Sequence, residues 1–195
     1  MGIRVTRKRL LAVGAGGAIA SAAAGGALAG RPGLARSAPS ARQDVRVLEF
    51  VLGLERIEAA FYGAAQKAGA LKGELAEYAE VVGGQEREHV AFLEKALNAG
   101  GAEPKLDVDD VVRDERRFAA TAIALEDAMV WAYNGQAANL TPQRLAQAAT
   151  IASVEARHAA WIRDVAGEPP ASRAVDPART AAEVRRILRD QGLMP

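Results

Sequence analysis

Glu86-Arg87-Glu88-His89 and Glu155-Ala156-Arg157-His158 share one pattern, Glu-x-x-His, which occurs twice in this chain of 195 residues. Three residues turn a helix by about 300°, so the Glu and the His of each pattern project to the same side, one turn apart. The chain contains only two histidines, and both complete the pattern. The two stretches therefore predict two helices whose inward faces each carry a carboxylate and an imidazole.

The two halves of the sequence repeat beyond these motifs. Leu54-Glu55 and Leu125-Glu126 form a second matching pair, and Tyr62 and Tyr133 each follow their Glu by seven residues, two turns along the same helix face. An internal duplication of a helix hairpin explains the repeat most simply, and it predicts a pseudo-twofold site.

Apolar residues at helical spacing predict an all-α fold, and no strand pattern is present. Thr141 and Pro142 have the residue types of an N-cap and a first helical position. On the fourth helix we expect Leu145 and Ile162 to face inward. The four main helices are predicted over residues 44–68, 74–98, 115–138 and 142–165, and a short amphipathic helix over 178–190.

Loop lengths predict the topology. The loops after the first and third helices are short, so each pair forms an antiparallel hairpin. The segment between the hairpins has about 15 residues and can span about 50 Å when extended, whereas a helix of about 25 residues is about 37 Å long. This segment can therefore run the length of the bundle as one long crossover and make the second and third helices parallel.

The inward faces carry carboxylates where apolar residues would be expected. Glu55 and Glu126 add one carboxylate each to the two Glu-x-x-His motifs, giving four Glu and two His. A buried carboxylate is costly unless a metal or a partner charge compensates it, and this ligand set is that of two-metal carboxylate bundles. The alternative is a set of buried, hydrogen-bonded Glu–His pairs without metal. The predicted ligands are Glu55, Glu86, His89, Glu126, Glu155 and His158.

The segments 52–62 (LGLERIEAAFY) and 86–93 (EREHVAFL), with their repeats around Glu126 and Glu155, resemble the ferritin-like domain family that includes rubrerythrin-like and desiccation-related proteins. The resemblance covers residues 44–166. It implies that Glu55 and Glu126 are terminal ligands, that Glu86 and Glu155 bridge two ions, and that each His binds one. The chain has no Cys, so it lacks the Cys-ligated iron domain of rubrerythrins proper.

Several neighbouring residues have a less specific interpretation. Tyr62 and Tyr133 lie on the ligand face, where they would hydrogen-bond ligands or take part in electron transfer; packing with a satisfied hydroxyl is the alternative. Helix periodicity points Glu58, Glu88 and Asp127 away from the site towards solvent. Of the three, Glu58 is the one for which a position beside the site is the alternative, because it lies one turn from Glu55.

The N-terminus has the order of an export signal: basic residues 4–9, an apolar stretch 10–29, and Ala27-Leu28-Ala29 as a small-x-small cleavage site. Residues 6–11 (TRKRLL) resemble a twin-arginine signal in which Lys8 replaces the second Arg. We expect a bacterial protein exported to the periplasm or beyond; if uncleaved, the segment would be a membrane tether. Residues 30–43 are predicted to be a linker, and residues 167–195 a tail with the short helix.

Charge and ligand type narrow the function. The formal net charge is +1, and it falls to −3 without the first 29 residues, which argues against nucleic-acid binding. Carboxylate and imidazole ligands suit two iron or manganese ions, with zinc also permitted. An oxidoreductase or ferroxidase acting on oxygen, peroxide or ferrous iron is the first hypothesis. A stress- or desiccation-related protein that sequesters metal, or a structural bundle without catalysis, is the alternative. We expect no cage or DNA-compacting shell, but a homodimer through Ala-rich outer faces.

Overall fold

A computed structural model describes residues 38–194 and shows an all-α bundle in that part of the chain. The predicted export signal, residues 1–29, lies outside the described residues. None of the helices between residues 38 and 194 is long and apolar enough to cross a membrane. The described elements are the helices α1 (Ala41–Ala68), α2 (Gly73–Leu97), α3 (Glu115–Gln136), α4 (Pro142–Val165) and α5 (Ala181–Asp190), and a 3₁₀ turn (Ala137–Asn139).

Hydrogen bonds across the bundle give the direction of the helices. Tyr133 of α3 contacts Glu55 of α1, and Glu126 of α3 contacts Tyr62 of α1. Advancing along α1 therefore means going back along α3, so these two helices are antiparallel. Since α2 returns from α1 through a short turn, α2 and α3 are parallel. The predicted topology with one long crossover is confirmed.

The crossover differs from the extended segment that the sequence predicts. It contains one helical turn, Asp109–Val112, in which Val112 is fully buried. The acidic side chains of Asp107, Asp109 and Asp110 are exposed. The turn therefore anchors the crossover to the bundle through an apolar side chain while its acids remain in solvent.

The hairpins are joined by a buried polar contact at the start of α4. α1 begins at Ala41, three residues earlier than predicted, because the side chain of Ser40 caps it. Asp44 is thus inside the helix, where its carboxylate accepts hydrogen bonds from the N–H of Thr141 at 2.8 Å and from its hydroxyl at 2.7 Å. Thr141 occupies the predicted N-cap position, but its hydroxyl bonds to α1 instead of capping α4.

The C-terminal segment packs across the outside of α3. The N–H of Arg179 donates to the carbonyl of Trp131 at 3.1 Å. A Cβ atom on Gly135 would come within 1.7 Å of the Arg179 carbonyl oxygen, so this close approach requires glycine. α5 then buries Val184 and Leu188. It starts at Ala181, later than predicted, because Thr180 and Glu183 form a capping box.

The core follows the predicted inward faces with one exception. Ile162 is fully buried, but Leu145 has 39% of its surface exposed and does not face inward as predicted. Leu145 lies in the first turn of α4, on the side of that helix that faces solvent. The core around the site is aromatic, with Phe61 stacked on Phe118 at a centroid distance of 5.3 Å.

Candidate metal centre

The six residues predicted as ligands lie together in the centre of the bundle. Each helix of the four contributes one carboxylate, and α2 and α4 add an imidazole each. All four carboxylates are fully buried, while His89 and His158 have 9% and 3% of their surface exposed. The side chains are Glu55 (α1), Glu86 and His89 (α2), Glu126 (α3), and Glu155 and His158 (α4).

Three carboxylates converge on the inner nitrogen of His89. Its Nδ1 lies 3.2 Å from Glu55 Oε2, 3.2 Å from Glu86 Oε2 and 2.9 Å from Glu155 Oε1. One ring nitrogen carries at most one proton. A single proton therefore cannot satisfy three carboxylate oxygens at once.

The inner nitrogen of His158 faces a matching set. Its Nδ1 lies 3.0 Å from Glu86 Oε1, 3.5 Å from Glu126 Oε2 and 3.7 Å from Glu155 Oε2. At these distances the nitrogen still makes no hydrogen bond of acceptable geometry, and neither do Glu86 Oε1 and Glu126 Oε2. The donor atoms are thus gathered without being paired to one another.

Glu86 and Glu155 belong to both clusters. Each places one oxygen beside His89 and the other beside His158. Glu55 belongs only to the first cluster and Glu126 only to the second, and within each cluster the ligand atoms all lie within 4.8 Å of one another. The resemblance predicts the same grouping, with Glu86 and Glu155 as bridging ligands and Glu55 and Glu126 as terminal ones.

Tyrosine hydroxyls orient the two carboxylates that each belong to only one cluster. Tyr133 donates to Glu55 Oε1 at 2.6 Å, and Tyr62 donates to Glu126 Oε1. In each case the other oxygen of the carboxylate faces a histidine. Burial, followed by the neighbouring carboxylates, raises the pKa of both tyrosines well above the ordinary value, so the hydroxyls stay protonated and act as donors.

A third tyrosine, Tyr78, was not singled out from the sequence. It is fully buried on α2 and donates to Glu126 Oε1 at 3.0 Å, beside Tyr62. Its position three residues after Leu75 and four before Val82 places it on the predicted inward face of α2, and this spacing is a signal that would have identified it. The internal repeat gives no such signal, because the residue at the matching place in the second hairpin is not a tyrosine.

The prediction that Glu58 faces solvent is wrong. Its side chain is fully buried and neither oxygen has a hydrogen-bond partner among the described residues. Burial raises its pKa well above the ordinary value, and the charges of Glu86 and Glu126 add to this. Glu58 is nevertheless absent from both clusters.

The other two residues expected in solvent differ in their exposure. Glu88 is exposed, as predicted. Asp127 is half-buried and forms an ion pair with Arg163 of α4, so its prediction was wrong. The reason is that α3 is covered on this side by α4.

The centre has an excess of acidic groups. Burial lowers the pKa of each histidine, but the surrounding carboxylates outweigh this and raise it to about 12. Two imidazolium charges therefore face five buried carboxyl groups. None of the ion pairs that Arg forms in the described part of the chain reaches these carboxylates. Burial also raises the pKa of Glu86 and of Glu155, each with a further contribution from a nearby carboxylate.

These residues fit a pair of divalent cations. Buried carboxylate oxygens without partners, two imidazole nitrogens facing inward, and two clusters sharing two carboxylates supply the donors that hard or borderline cations require. The predicted ligand set is thus brought together in full by the fold. The site can take up positive charge that the protein itself does not provide.

A four-helix bundle with one long crossover and an inward Glu/His group that could hold a metal ion has the architecture of carboxylate metal-binding bundles. The family model for the ferritin-like domain matches residues 43–168. The chain therefore belongs to the ferritin-like domain family. No curated protein matches the chain.

Proposed function

We propose that this chain binds a carboxylate-bridged pair of metal ions, iron or manganese, and that the centre is oxidative. The observation that carries the proposal is the position of Glu86 and Glu155, each with one oxygen in both clusters. Glu55 and His89 would complete the first metal position, and Glu126 and His158 the second.

When bound, a redox-active metal pair supplies electrons to oxygen or peroxide, or removes them from ferrous iron. The protein's own part is to keep the donors aligned and the site dry. Tyr133 and Tyr62 orient the terminal carboxylates, and the surrounding apolar core excludes bulk water. Burial raises the pKa of Glu58, a carboxyl group beside the centre that belongs to neither cluster.

Metal content tests the binding. Wild-type protein loaded anaerobically with ferrous iron should contain two ions per chain. Glu86→Ala should impair both positions, because both share this carboxylate, whereas Glu126→Ala should affect mainly one. Glu88→Ala, an exposed residue two positions from Glu86, is the matched control and should keep both ions.

Reaction with oxygen tests the chemistry. Adding oxygen to the ferrous-loaded protein should change its absorbance and consume oxygen at a rate that Glu86→Ala abolishes and Glu88→Ala preserves. A wild type that binds no iron, manganese or zinc would overturn the site. Binding without oxygen or peroxide chemistry would favour metal sequestration instead.

A structural role without metal is the second candidate. The short contacts of His89 and His158 with carboxylates form an ionic network that could hold the bundle together by itself. In that case removing all metal would leave the free energy of unfolding at neutral pH unchanged. The two-metal proposal instead expects a marked loss of stability, because metal binds the folded state.

The proposal includes export, on the basis of the N-terminal sequence alone. The basic residues, the apolar stretch and the Ala27-Leu28-Ala29 site support secretion of the folded bundle. Cell fractionation with N-terminal sequencing of the isolated protein is the test. A full-length chain confined to the cytoplasm would contradict it.

A further inference from the structure

The two histidines differ in what their outer nitrogens contact. His158 Nε2 lies 2.6 Å from the side-chain amide oxygen Oε1 of Gln85 on α2. His89 Nε2 makes no hydrogen bond with any residue between 38 and 194, and the His89 side chain is 11% exposed against 4% for His158. The pseudo-twofold repeat is thus broken at this contact.

An amide oxygen can only accept a hydrogen bond, so Gln85 requires a proton on Nε2 of His158. That is the tautomer in which Nδ1, which faces the carboxylates, has a lone pair for a metal ion. When the ring is doubly protonated and binds no metal, Nε2 is a donor as well. Gln85 therefore suits His158 in both states and holds the ring in one orientation.

The repeat shows why His89 has no such partner. Gln85 precedes Glu86, and the residue that precedes Glu155 in the second hairpin is Val154. The register of the two motifs places Val154, which is half-buried, on the corresponding side of the centre. A valine side chain cannot accept a hydrogen bond, so the second hairpin supplies no counterpart of the Gln85 contact to His89.

The two clusters also differ in the number of tyrosine hydroxyls that bond to their carboxylates. Glu126, in the cluster of His158, receives two tyrosine hydroxyls, from Tyr62 and Tyr78. Glu55, in the cluster of His89, receives only that of Tyr133. The His158 cluster thus has both its imidazole and its terminal carboxylate held more firmly.

We propose that Gln85 is a positioning residue that makes the two metal positions unequal. The position formed by Glu126 and His158 is preorganised and binds its ion first and more tightly. The position formed by Glu55 and His89 binds more weakly and exchanges its ion with solvent. This inference rests on the two-metal function proposed above, and it concerns the order and strength of binding at that same centre.

Nuclear magnetic resonance of the metal-free protein tests the contact without any metal. Because the chain has only two histidines, ¹⁵N-histidine labelling gives two ring systems, which the spectrum of His89→Asn assigns. The Nε2 proton of His158 should exchange slowly with water and that of His89 rapidly. Gln85→Met, which keeps the side-chain length but removes the acceptor, should make His158 exchange rapidly as well.

Titration with zinc ions against a competing chelator tests the consequence. In the wild type the first equivalent should shift the ring signals of His158 and the second those of His89. Gln85→Met should weaken the first step by about 10–100-fold. Val154→Gln, which supplies an acceptor on the other side, should strengthen the second step and bring the two affinities together. Gln143→Met, at an exposed position of α4, is the control and should leave both steps unchanged.

The outcomes separate this inference from the proposed function. If the wild type binds two ions but Gln85→Met leaves both steps unchanged, or if the first ion reaches His89, the inference is wrong and the two-metal function stands. If the wild type binds no zinc, iron or manganese, both are wrong. Weakening of the first step by Gln85→Met together with strengthening of the second by Val154→Gln would establish the role of Gln85.

Discussion

Replacing Glu58 by Leu should stabilise the metal-free protein. The Glu58 side chain is fully buried, and neither of its oxygens has a hydrogen-bond partner in the described part of the chain. Leucine has a similar volume and no polar atoms. The substitution therefore removes a desolvated group while leaving the packing of α1 nearly unchanged.

The magnitude follows from the cost of burying an unpaired polar group, about 1–3 kcal/mol. We expect Glu58→Leu to raise the free energy of unfolding of the metal-free protein by about 2 kcal/mol at pH 7.5. For a domain of this size that corresponds to a melting temperature about 4–8 °C higher.

The stability gained by Glu58→Leu should increase with pH. Burial raises the pKa of Glu58 above its unfolded value, so the folded state keeps a proton that the unfolded state loses. The resulting penalty is absent below the unfolded pKa and grows as pH rises towards the folded pKa, by at most about 1.4 kcal/mol per pH unit. The advantage of Glu58→Leu should accordingly be larger at pH 7.5 than at pH 5.

Thermal unfolding followed by circular dichroism, in chelator-treated protein at both pH values, measures the effect. Glu88→Leu is the matched control: its side chain is exposed, and its stability should stay within about 0.5 kcal/mol of the wild type. If Glu58→Leu destabilises the metal-free protein, or if its gain is the same at pH 5 and pH 7.5, Glu58 is not an uncompensated buried acid. Because Glu58 lies outside both clusters, metal content should remain at two ions per chain.

Three further predictions concern stability. The metal-free protein should lose stability between pH 7 and pH 9, because its two histidines, with pKa values raised to about 12, keep protons that the unfolded chain releases above about pH 6.5. These two groups contribute at most about 2.7 kcal/mol per pH unit to the slope. The metal-saturated protein should show little of this loss over the same range, since metal displaces the histidine protons from the folded state. Urea titrations measure both forms, and parallel slopes would contradict the linkage. Gly135→Ala should lower the free energy of unfolding by about 1–3 kcal/mol and speed proteolysis of the C-terminal segment, because the added Cβ displaces this segment. Gly63→Ala is the control, since its added Cβ meets nothing within 4 Å. Equal melting temperatures for the two variants would disprove the steric argument. Asp44→Ala should lower the free energy of unfolding by about 1–3 kcal/mol, because it leaves two donors at the start of α4 without their acceptor. Asp44→Asn should lower it less. An equal loss for both variants in urea unfolding would show that the hydrogen bonds are not the cause.

The sequence predicted the fold well because its main signals are local. Helical spacing, the Thr141-Pro142 start and the lengths of the loops each depend on a few neighbouring residues. The ligand set followed from the same periodicity, because a carboxylate at an inward position must be compensated. The repeat then reinforced the prediction by giving two independent copies of the same hairpin.

The errors arose where burial depends on distant segments. Periodicity points Glu58 away from the site towards solvent, but the neighbouring helices cover this side chain and it is fully buried. Asp127 is covered by Arg163 of α4, a partner 36 residues away in the chain. The passage of the C-terminal segment over Gly135 carries no local signal at all, since only the tertiary route brings Arg179 there.

The contacts of Gln85 and Tyr78 have a different origin. Both residues lie on α2, but each acts on a residue of the other hairpin, His158 and Glu126. The repeat predicts equal halves, and these two contacts are where the halves differ. A duplicated sequence therefore reveals the shared chemistry more readily than the specialisation of each copy.

Neither hairpin holds a complete set of donors for one ion. The first cluster takes Glu155 from the second hairpin, and the second cluster takes Glu86 from the first. If the chain were cut in the crossover, within residues 99–107, its two fragments would form a two-component assembly. Under the two-metal proposal, the association of the fragments would follow the free metal concentration by mass action. The bundle would then serve as a metal-controlled dimerisation pair, in which separate polypeptides combine when the ion is present and part when it is withdrawn.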